Sequence, residues 1–183
     1  TDQLINTLQD SLNSITLVTA STTIDANTML LMHLENNWTD NSPTTPHTIT
    51  PTNMTFSSGA NAKFGTYGAA FNGGTGYFTA PDNADFDFSG GNFCIDAQVY
   101  PLGYAAHRTI YHQRTDANNY IYFYIADTTC KLTFVVYSAG AEVVKLESPS
   151  SVGISGFSHL EVDESGVNWY LFINGSLVDS KVD

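Results

Sequence analysis

The sequence predicts an all-β fold: an antiparallel β-sandwich of the jelly-roll type with a short N-terminal helix. Composition is the first reason, because 13% of the 183 residues are aromatic and only 13% are charged, whereas helical proteins are rich in Ala, Glu, Lys and Leu. Alternation is the second, since residues 93–99 place an apolar side chain at every other position. The third is a series of short strand-like segments separated by turn residues, with no helix that would link parallel strands.

Residues 1–20 differ from the rest and predict a helix. Ile5, Leu8, Leu12 and Ile15 recur at spacings of three, four and three, which is the pattern of a helix seam. Two heptads are too short for an isolated helix in water, so we expect this segment to dock on its own domain or to form a homo-oligomer, a trimer; a frayed tail is the alternative. The predicted divisions are a helical anchor and oligomerisation segment at 1–20, a polar linker at 21–28 and the sandwich at 29–183.

Apolar runs and turn residues locate the strands. The apolar run Met29–Glu35 is predicted to begin the sandwich. Gly68–Phe71 and Tyr77–Ala80 flank a glycine-rich segment, and glycines supply the positive φ angles that a hairpin needs. Asn174-Gly175 predicts a second hairpin. Further strands are predicted at 50–56, 93–99, 109–113, 119–126, 131–138, 142–147, 157–163, 166–173 and 176–180.

Three predicted strands, at 119–126, 131–138 and 166–173, are apolar on both faces. One face of each must line the core. The other is covered by another element or subunit, or it offers a platform to a ligand such as a sugar. The candidate ligand or interface residues are Tyr120, Tyr122, Tyr124, Tyr137, Trp38 and Tyr104.

The net charge of −12 excludes several partners. Such a surface repels phosphate backbones and anionic lipids, so we expect no nucleic-acid binding. No run of about 18 apolar residues exists, so we expect no membrane insertion. For Cys94 and Cys130 the sequence favours two unpaired thiols over a disulfide.

Several segments together resemble a known family. Their sequences, in order, are KFG, AAFNG, YFTAPDNADFDF and NFCIDAQVYP within Lys63–Pro101, then NYIYFYI from Asn119 and WYLFINGSLV from Trp169. This order is similar to that of laminin-G-like jelly-roll domains of the concanavalin A-like lectin/glucanase superfamily, which are common in phage and bacterial surface proteins. The resemblance covers about 30–178, and implies a concanavalin A-like jelly roll whose first strand is near Leu30–Leu34.

This sequence differs from the family pattern in two places. Family members usually carry one more strand beyond the segment that matches FINGSLV, whereas this sequence stops at Asp183. The sequence is then a fragment, or another chain supplies the strand, or the sheet edge is open. The central strand of the family often has Trp where Gln98 stands.

Few residues are candidates for catalysis or for metal binding. Glucanases of the superfamily use an E-x-D-x-x-E motif; here Glu161 and Asp163 match it, but Gly166 replaces the last carboxylate. We therefore predict no catalytic residues and no enzyme activity. The histidines lack zinc spacing. No cofactor is expected except calcium, for which the candidates are Asp82, Asp85, Asp87 and Asp116.

The first functional hypothesis is a non-enzymatic virion surface protein, a phage tail-fibre or head-decoration subunit that serves assembly and host attachment. Its partners would be copies of itself, other virion proteins and a host-surface glycan. The alternative is a carbohydrate-binding module or lectin of a bacterial or extracellular surface protein, located outside the cell or at its surface.

Overall fold

The computed structural model describes residues 24–89, 91–103 and 106–182, and its regular structure is almost entirely β-strand. The predicted helix and its seam (Ile5, Leu8, Leu12 and Ile15) lie outside the described residues, as does Tyr104. No helix in the described part is long and apolar enough to span a membrane. The strands are β1 (Thr50–Thr52), β2 (Met54–Ser58), β3 (Tyr67–Phe71), β4 (Tyr77–Thr79), β5 (Phe93–Val99), β6 (Arg108–Asp116), β7 (Asn119–Ile125), β8 (Lys131–Ser138), β9 (Ala141–Ser151), β10 (Ser158–Ser165), β11 (Asn168–Ile173) and β12 (Ser176–Val182).

Two four-stranded antiparallel sheets form the sandwich. One has the order β12-β11-β10-β5 and the other β6-β7-β8-β9. Two short antiparallel pairs, β1-β4 and β2-β3, accompany them. The prediction of an all-β antiparallel sandwich is confirmed.

The core lies between the two large sheets because alternate residues of their strands point inwards. Phe123 of β7 and Leu171 of β11 are fully buried, as the alternation predicts. At the centre, the Trp169 ring stacks 5.7 Å from Phe134 and meets Phe93 edge-on at 5.6 Å. Rings from both sheets therefore meet in one cluster, and such pairs contribute about 0.5–1.5 kcal/mol beyond the area they bury.

Side chains of β12 fasten the two sheets together along one side. Asp179 Oδ2 accepts a hydrogen bond from the Glu147 backbone N–H at 2.8 Å. Lys181 Nζ donates to the Val143 carbonyl at 2.6 Å. Since Val143 and Glu147 belong to β9, the last strand of one sheet is tied to the edge strand of the other.

The hairpin predicted at Asn174-Gly175 is confirmed. Both residues have positive φ, 52° and 73°, and β11 pairs with β12 across them. Positive φ at two consecutive turn residues is the geometry of a type I′ turn, for which Asn-Gly is the favoured pair.

The other predicted hairpin, around the glycine-rich segment 72–76, is wrong. β3 pairs with β2 and β4 pairs with β1, so the strands on either side of the segment have different partners. The segment is a loop organised by Asn72, whose Oδ1 accepts from the backbone N–H groups of Gly74, Thr75 and Gly76 at 2.8–3.1 Å. The glycines therefore belong to a turn whose backbone N–H groups donate to the Asn72 side chain.

The predicted first strand at Leu30–Leu34 is also wrong, because no strand forms there. The Leu31 N–H donates to Asp40 Oδ1 at 3.0 Å, and its carbonyl accepts from the Asn41 N–H at 2.6 Å. Leu34 then takes a φ of 58°, which is outside the range of a strand. The backbone groups of this run are therefore used by the loop that follows it.

Both cysteines are free thiols. Cys94 lies on β5, whereas Cys130 precedes β8 at a φ of 57°.

Replacing Phe134 by alanine should destabilise the protein by about 3–5 kcal/mol, because it leaves a cavity between the sheets. Phe64→Ala is the control, since Phe64 is 70% exposed, and should change stability by less than about 0.5 kcal/mol. Urea unfolding followed by tryptophan fluorescence measures both. Equal losses for the two variants would contradict a core centred on Phe134.

Candidate functional site

A cleft of about 590 Å³ lies at the end of the sandwich where β6, β8 and β10 finish. Its walls come from the segment Asp82–Ser89 on one side and from the ends of β6, β7 and β8 on the other, together with Glu164 and Trp169. The volume is in the range of sites that hold small ligands. A second, smaller depression of about 260 Å³ adjoins it, with Arg114 and Tyr120 lining both.

Trp169 lines the cleft and has a buried hydrogen-bond donor without an acceptor among the described residues. The residue is only 7% exposed and belongs to the core cluster. It also lines the cleft, and its indole Nε1–H is buried with no acceptor in the described structure. A buried donor without a partner carries a penalty of about 1–3 kcal/mol.

Polar side chains around this donor have the chemistry that binds hydroxyl groups. Asp82 and Asp87 are exposed carboxylates that line the cleft. The pKa of Asp87 is lowered by hydrogen bonds from the Ser89 side chain and then from its backbone, so Asp87 is an acceptor at neutral pH. Asn119 also lines the cleft, but its amide is already bonded, since Nδ2 donates to Asp116 and Oδ1 accepts from the Ala139 N–H.

Gln113 fixes the wall formed by Asp82–Ser89. Its Nε2 donates to the Phe86 carbonyl at 3.0 Å, and its Oε1 accepts from the Tyr111 hydroxyl at 3.1 Å. Burial raises the pKa of Tyr111 to about 12. Tyr111 is therefore a neutral donor, and Gln113 joins this wall of the cleft to β6.

Aromatic contacts hold the same wall against the core. Phe88 stacks on Phe93 at 4.5 Å and lies 5.9 Å from Tyr111. Phe86 packs 4.7 Å from the His47 ring. The wall is thus positioned by one ring of the core and by one histidine of the preceding loop.

That loop is organised around Asp40, which is 4% exposed. Asp40 Oδ1 accepts from the N–H groups of Leu31 and Ser42, and Oδ2 accepts from the Ser42 hydroxyl and the His47 N–H and lies 2.9 Å from His47 Nδ1. Burial acts to raise the pKa of Asp40, but the hydrogen bonds outweigh it and hold the pKa at about 2. The ionised carboxylate therefore fixes His47, on which Phe86 packs.

The outer face of β7 carries three tyrosines that the sequence predicts to be ligand or interface residues. Tyr122 and Tyr124 stack at 4.2 Å, and Tyr120 stacks on Tyr137 of β8 at 4.7 Å. His107 lies on Tyr124 at 4.8 Å. Because His107, Tyr124 and Tyr122 cover one another's faces, a sugar would find few free ring faces among these three residues.

The structure brings four of the six candidate ligand residues together, and two of the four, Tyr120 and Tyr137, also border the cleft. Trp38 is placed elsewhere, 4.3 Å from Phe56 of β2 and 6.5 Å from Phe78 of β4. Tyr104 is outside the described residues.

The four calcium candidates do not converge. Asp82 and Asp87 line the cleft, whereas Asp85 Oδ2 lies 3.3 Å from His47 Nε2. Asp116 caps the β6–β7 turn, where its Oδ1 accepts from the Asn118 N–H at 2.7 Å. Among the described residues, no three of them bring carboxylate oxygens within 4.8 Å of one another. Calcium binding stays a prediction.

A comparison with protein families decides the family of this domain. A family model of the laminin-G type, described as the concanavalin A-like lectin/glucanases superfamily, matches residues 72–183. This range is more than half of the chain. The chain belongs to the concanavalin A-like lectin/glucanase superfamily. The resemblance inferred from the sequence is confirmed.

A comparison with solved structures gives matches, of which one is a carbohydrate-binding module. A carbohydrate-binding module, CBM66, from Bacillus subtilis aligns with a TM-score of 0.47 at 17% identity, over 74% of this chain and 79% of the module. No curated protein sequence matches the chain.

The superfamily includes glucanases, so the positions of their motif matter. Glu161 and Asp163 lie on β10, where burial and then the Asp163 carboxylate raise the pKa of Glu161. Gly166 follows β10 in the turn to β11 at a φ of 65°. A carboxylate at position 166 would therefore leave the strand face that carries Glu161 and Asp163.

Sequence reasoning missed Trp169 and Asp40 as site residues. Trp169 was predicted to be a strand residue, and nothing in the sequence indicates that its N–H lacks an acceptor. Asp40 lies in a segment rich in Asn, Thr and Pro. A short polar residue followed by Ser42 is a sequence signal of a local turn, but the donors at Leu31 and His47 emerge only from the fold.

Asp40→Asn should destabilise the protein by about 2 kcal/mol at pH 7, because the folded pKa of about 2 lies below the ordinary value of 3.8. When folding lowers the pKa of a carboxyl group, its ionised form stabilises the folded protein at any pH above the pKa of the unfolded state. This contribution is lost as the pH falls through the pKa of the folded state. The gap between wild type and variant should therefore narrow from pH 4 towards pH 2.

Urea unfolding at several pH values measures this gap, with Asp82→Asn as the control at an exposed carboxylate. The control should stay within about 0.5 kcal/mol of wild type at every pH. A wild-type advantage that is constant down to pH 2 would contradict the role given to the Asp40 carboxylate.

Proposed function

We propose that this domain is a non-enzymatic carbohydrate-binding module that holds a glycan in the cleft beside Trp169. The observation that carries the proposal is the buried Trp169 N–H without an acceptor, in a cleft of about 590 Å³. Membership of a superfamily of lectins and glucanases supports it. The cleft is preferred to the part of the tyrosine face outside it because Tyr122, Tyr124 and His107 already cover one another's ring faces.

The lining of the cleft suits the two kinds of surface that a sugar presents. Sugar hydroxyl groups both donate and accept, so the Asp82 and Asp87 carboxylates can accept from them while Trp169 donates. The C–H faces of a sugar are apolar and pack on aromatic rings, of which Tyr137 is one that borders the cleft.

Charge narrows the class of glycan. The chain carries 18 acidic and 6 basic residues, and the cleft is lined by Asp82, Asp87 and Glu164 against one basic side chain, Arg114. Sulfated and sialylated glycans would be repelled by this field. The proposed ligands are therefore neutral glycans.

Binding without catalysis is the proposed activity because the glucanase motif is incomplete at Gly166. The virion-surface role, the trimer through residues 5–15 and the association with other virion proteins stay predictions that no comparison tests. A carbohydrate-binding module is the function better supported by the family, and its location outside the cell or at its surface stays a prediction.

The proposal predicts saturable binding to neutral glycans on an array, with the best ligand then studied by calorimetry. Asp87→Ala and Tyr137→Ala should each weaken binding about tenfold or more, because each removes a contact worth about 1–2 kcal/mol. Tyr124→Ala is the matched control, since Tyr124 belongs to the tyrosine face but not to the cleft, and should bind as wild type does.

Three results would contradict the proposal. They are an array without hits in the presence and absence of calcium, a loss of binding in Tyr124→Ala alone, and hydrolysis of laminarin that Glu161→Gln abolishes. Melting temperatures of all variants separate lost contacts from lost folding.

A further inference from the structure

A second cluster of reactive side chains lies on the outer face of the sheet β12-β11-β10-β5, on strands β5 and β10. Cys94 of β5 is the cross-strand partner of Asp163 of β10, and Asp96 is the partner of Glu161. One ligand atom from each of Cys94, Glu161 and Asp163 lies within 4.8 Å of the other two. Three groups that can bind a metal are thus held together by the register of two adjacent strands.

A histidine extends the cluster along the same face. His159 Nδ1 lies 3.6 Å from Glu161 Oε2, and His159 Nε2 lies 3.6 Å from Asp96 Oδ1. Histidine beside a ligand carboxylate is the arrangement that orients ligands around metal ions. The cluster therefore contains a thiol, carboxylates and an imidazole.

An unpaired oxygen in the cluster is an independent sign of a missing partner. Asp163 Oδ1 is closed off from solvent and has no hydrogen-bond partner in the described structure. Buried carboxylate oxygens are normally paired, and an unpaired one calls for an explanation such as an ion. In the part of the chain that the structure describes, no lysine or arginine forms an ion pair with Asp96, Glu161 or Asp163.

We propose that Cys94, Glu161 and Asp163 bind a divalent transition-metal ion of the zinc type. A sulfur ligand together with carboxylates favours zinc over calcium or magnesium, which bind oxygen ligands. Ligands about 2.0–2.3 Å from a zinc ion lie roughly 3.5 Å apart, so side chains already within 4.8 Å need small rotations. His159 orients Glu161 or supplies the fourth ligand.

This site is separate from the glycan cleft. The ligands lie on the outer face of β10, whereas Leu160 and Val162 of the same strand point into the core. Metal binding should therefore be measurable whether or not the cleft binds sugars.

Cobalt(II) is the probe for this site, because it replaces zinc and gives a near-ultraviolet charge-transfer band when a thiolate binds it. Protein first treated with a chelator should bind one equivalent of cobalt, show this band and lose it when zinc is added. Cys94→Ser should abolish the band, and Asp163→Asn should weaken cobalt binding about tenfold or more.

Cys130→Ser is the matched control, since Cys130 is the other free cysteine, and should leave the band and the affinity unchanged. Circular dichroism confirms that each variant is folded, and Glu161→Gln replaces Asp163→Asn if that variant does not fold. Failure to bind cobalt, a band that survives Cys94→Ser, or a band lost in Cys130→Ser would overturn the proposal.

Discussion

The contact of Trp169 with Phe134 and Phe93 is the interaction on which the rest of the structure depends. Phe134 belongs to one sheet, and Trp169 and Phe93 belong to the other, with centroid distances of 5.6–6.4 Å among the three rings. Since interiors are close-packed, these rings set how the two sheets face each other near the cleft. The same packing encloses the Trp169 N–H without an acceptor, so one residue joins the stability of the sandwich to the chemistry of the cleft.

The walls of the cleft depend on the same cluster. Phe88 extends it by stacking on Phe93, so the segment that carries Asp82 and Asp87 is attached to the core. A buried carboxylate, Asp40, holds the other side of this segment through His47. A cleft built on a fixed core and on satisfied hydrogen bonds is largely formed before a ligand arrives, which lowers the entropy lost on binding.

The sequence predicts well the features that depend on neighbours along the chain. The alternation of 93–99, the two-sided strand 119–126 and the Asn-Gly turn at 174–175 are local patterns, and the structure contains all three. The segment 72–76 was misjudged because strand pairing is set by distant partners, here β1 and β2. The run 30–34 was misjudged because Asp40 binds its backbone. The cleft and the Cys94 cluster could not be predicted, since each joins strands far apart in the sequence.

The central claim is that the Trp169 N–H binds the ligand, and NMR tests it directly. The chain has two tryptophans, so a ¹⁵N-labelled sample gives two indole N–H signals, which Trp38→Phe assigns. Titration with the best neutral glycan should shift the Trp169 signal saturably. The signal of Trp38, which packs on Phe56 away from the cleft, should stay unchanged. A bound glycan that moves only the Trp38 signal, or neither, would contradict the account.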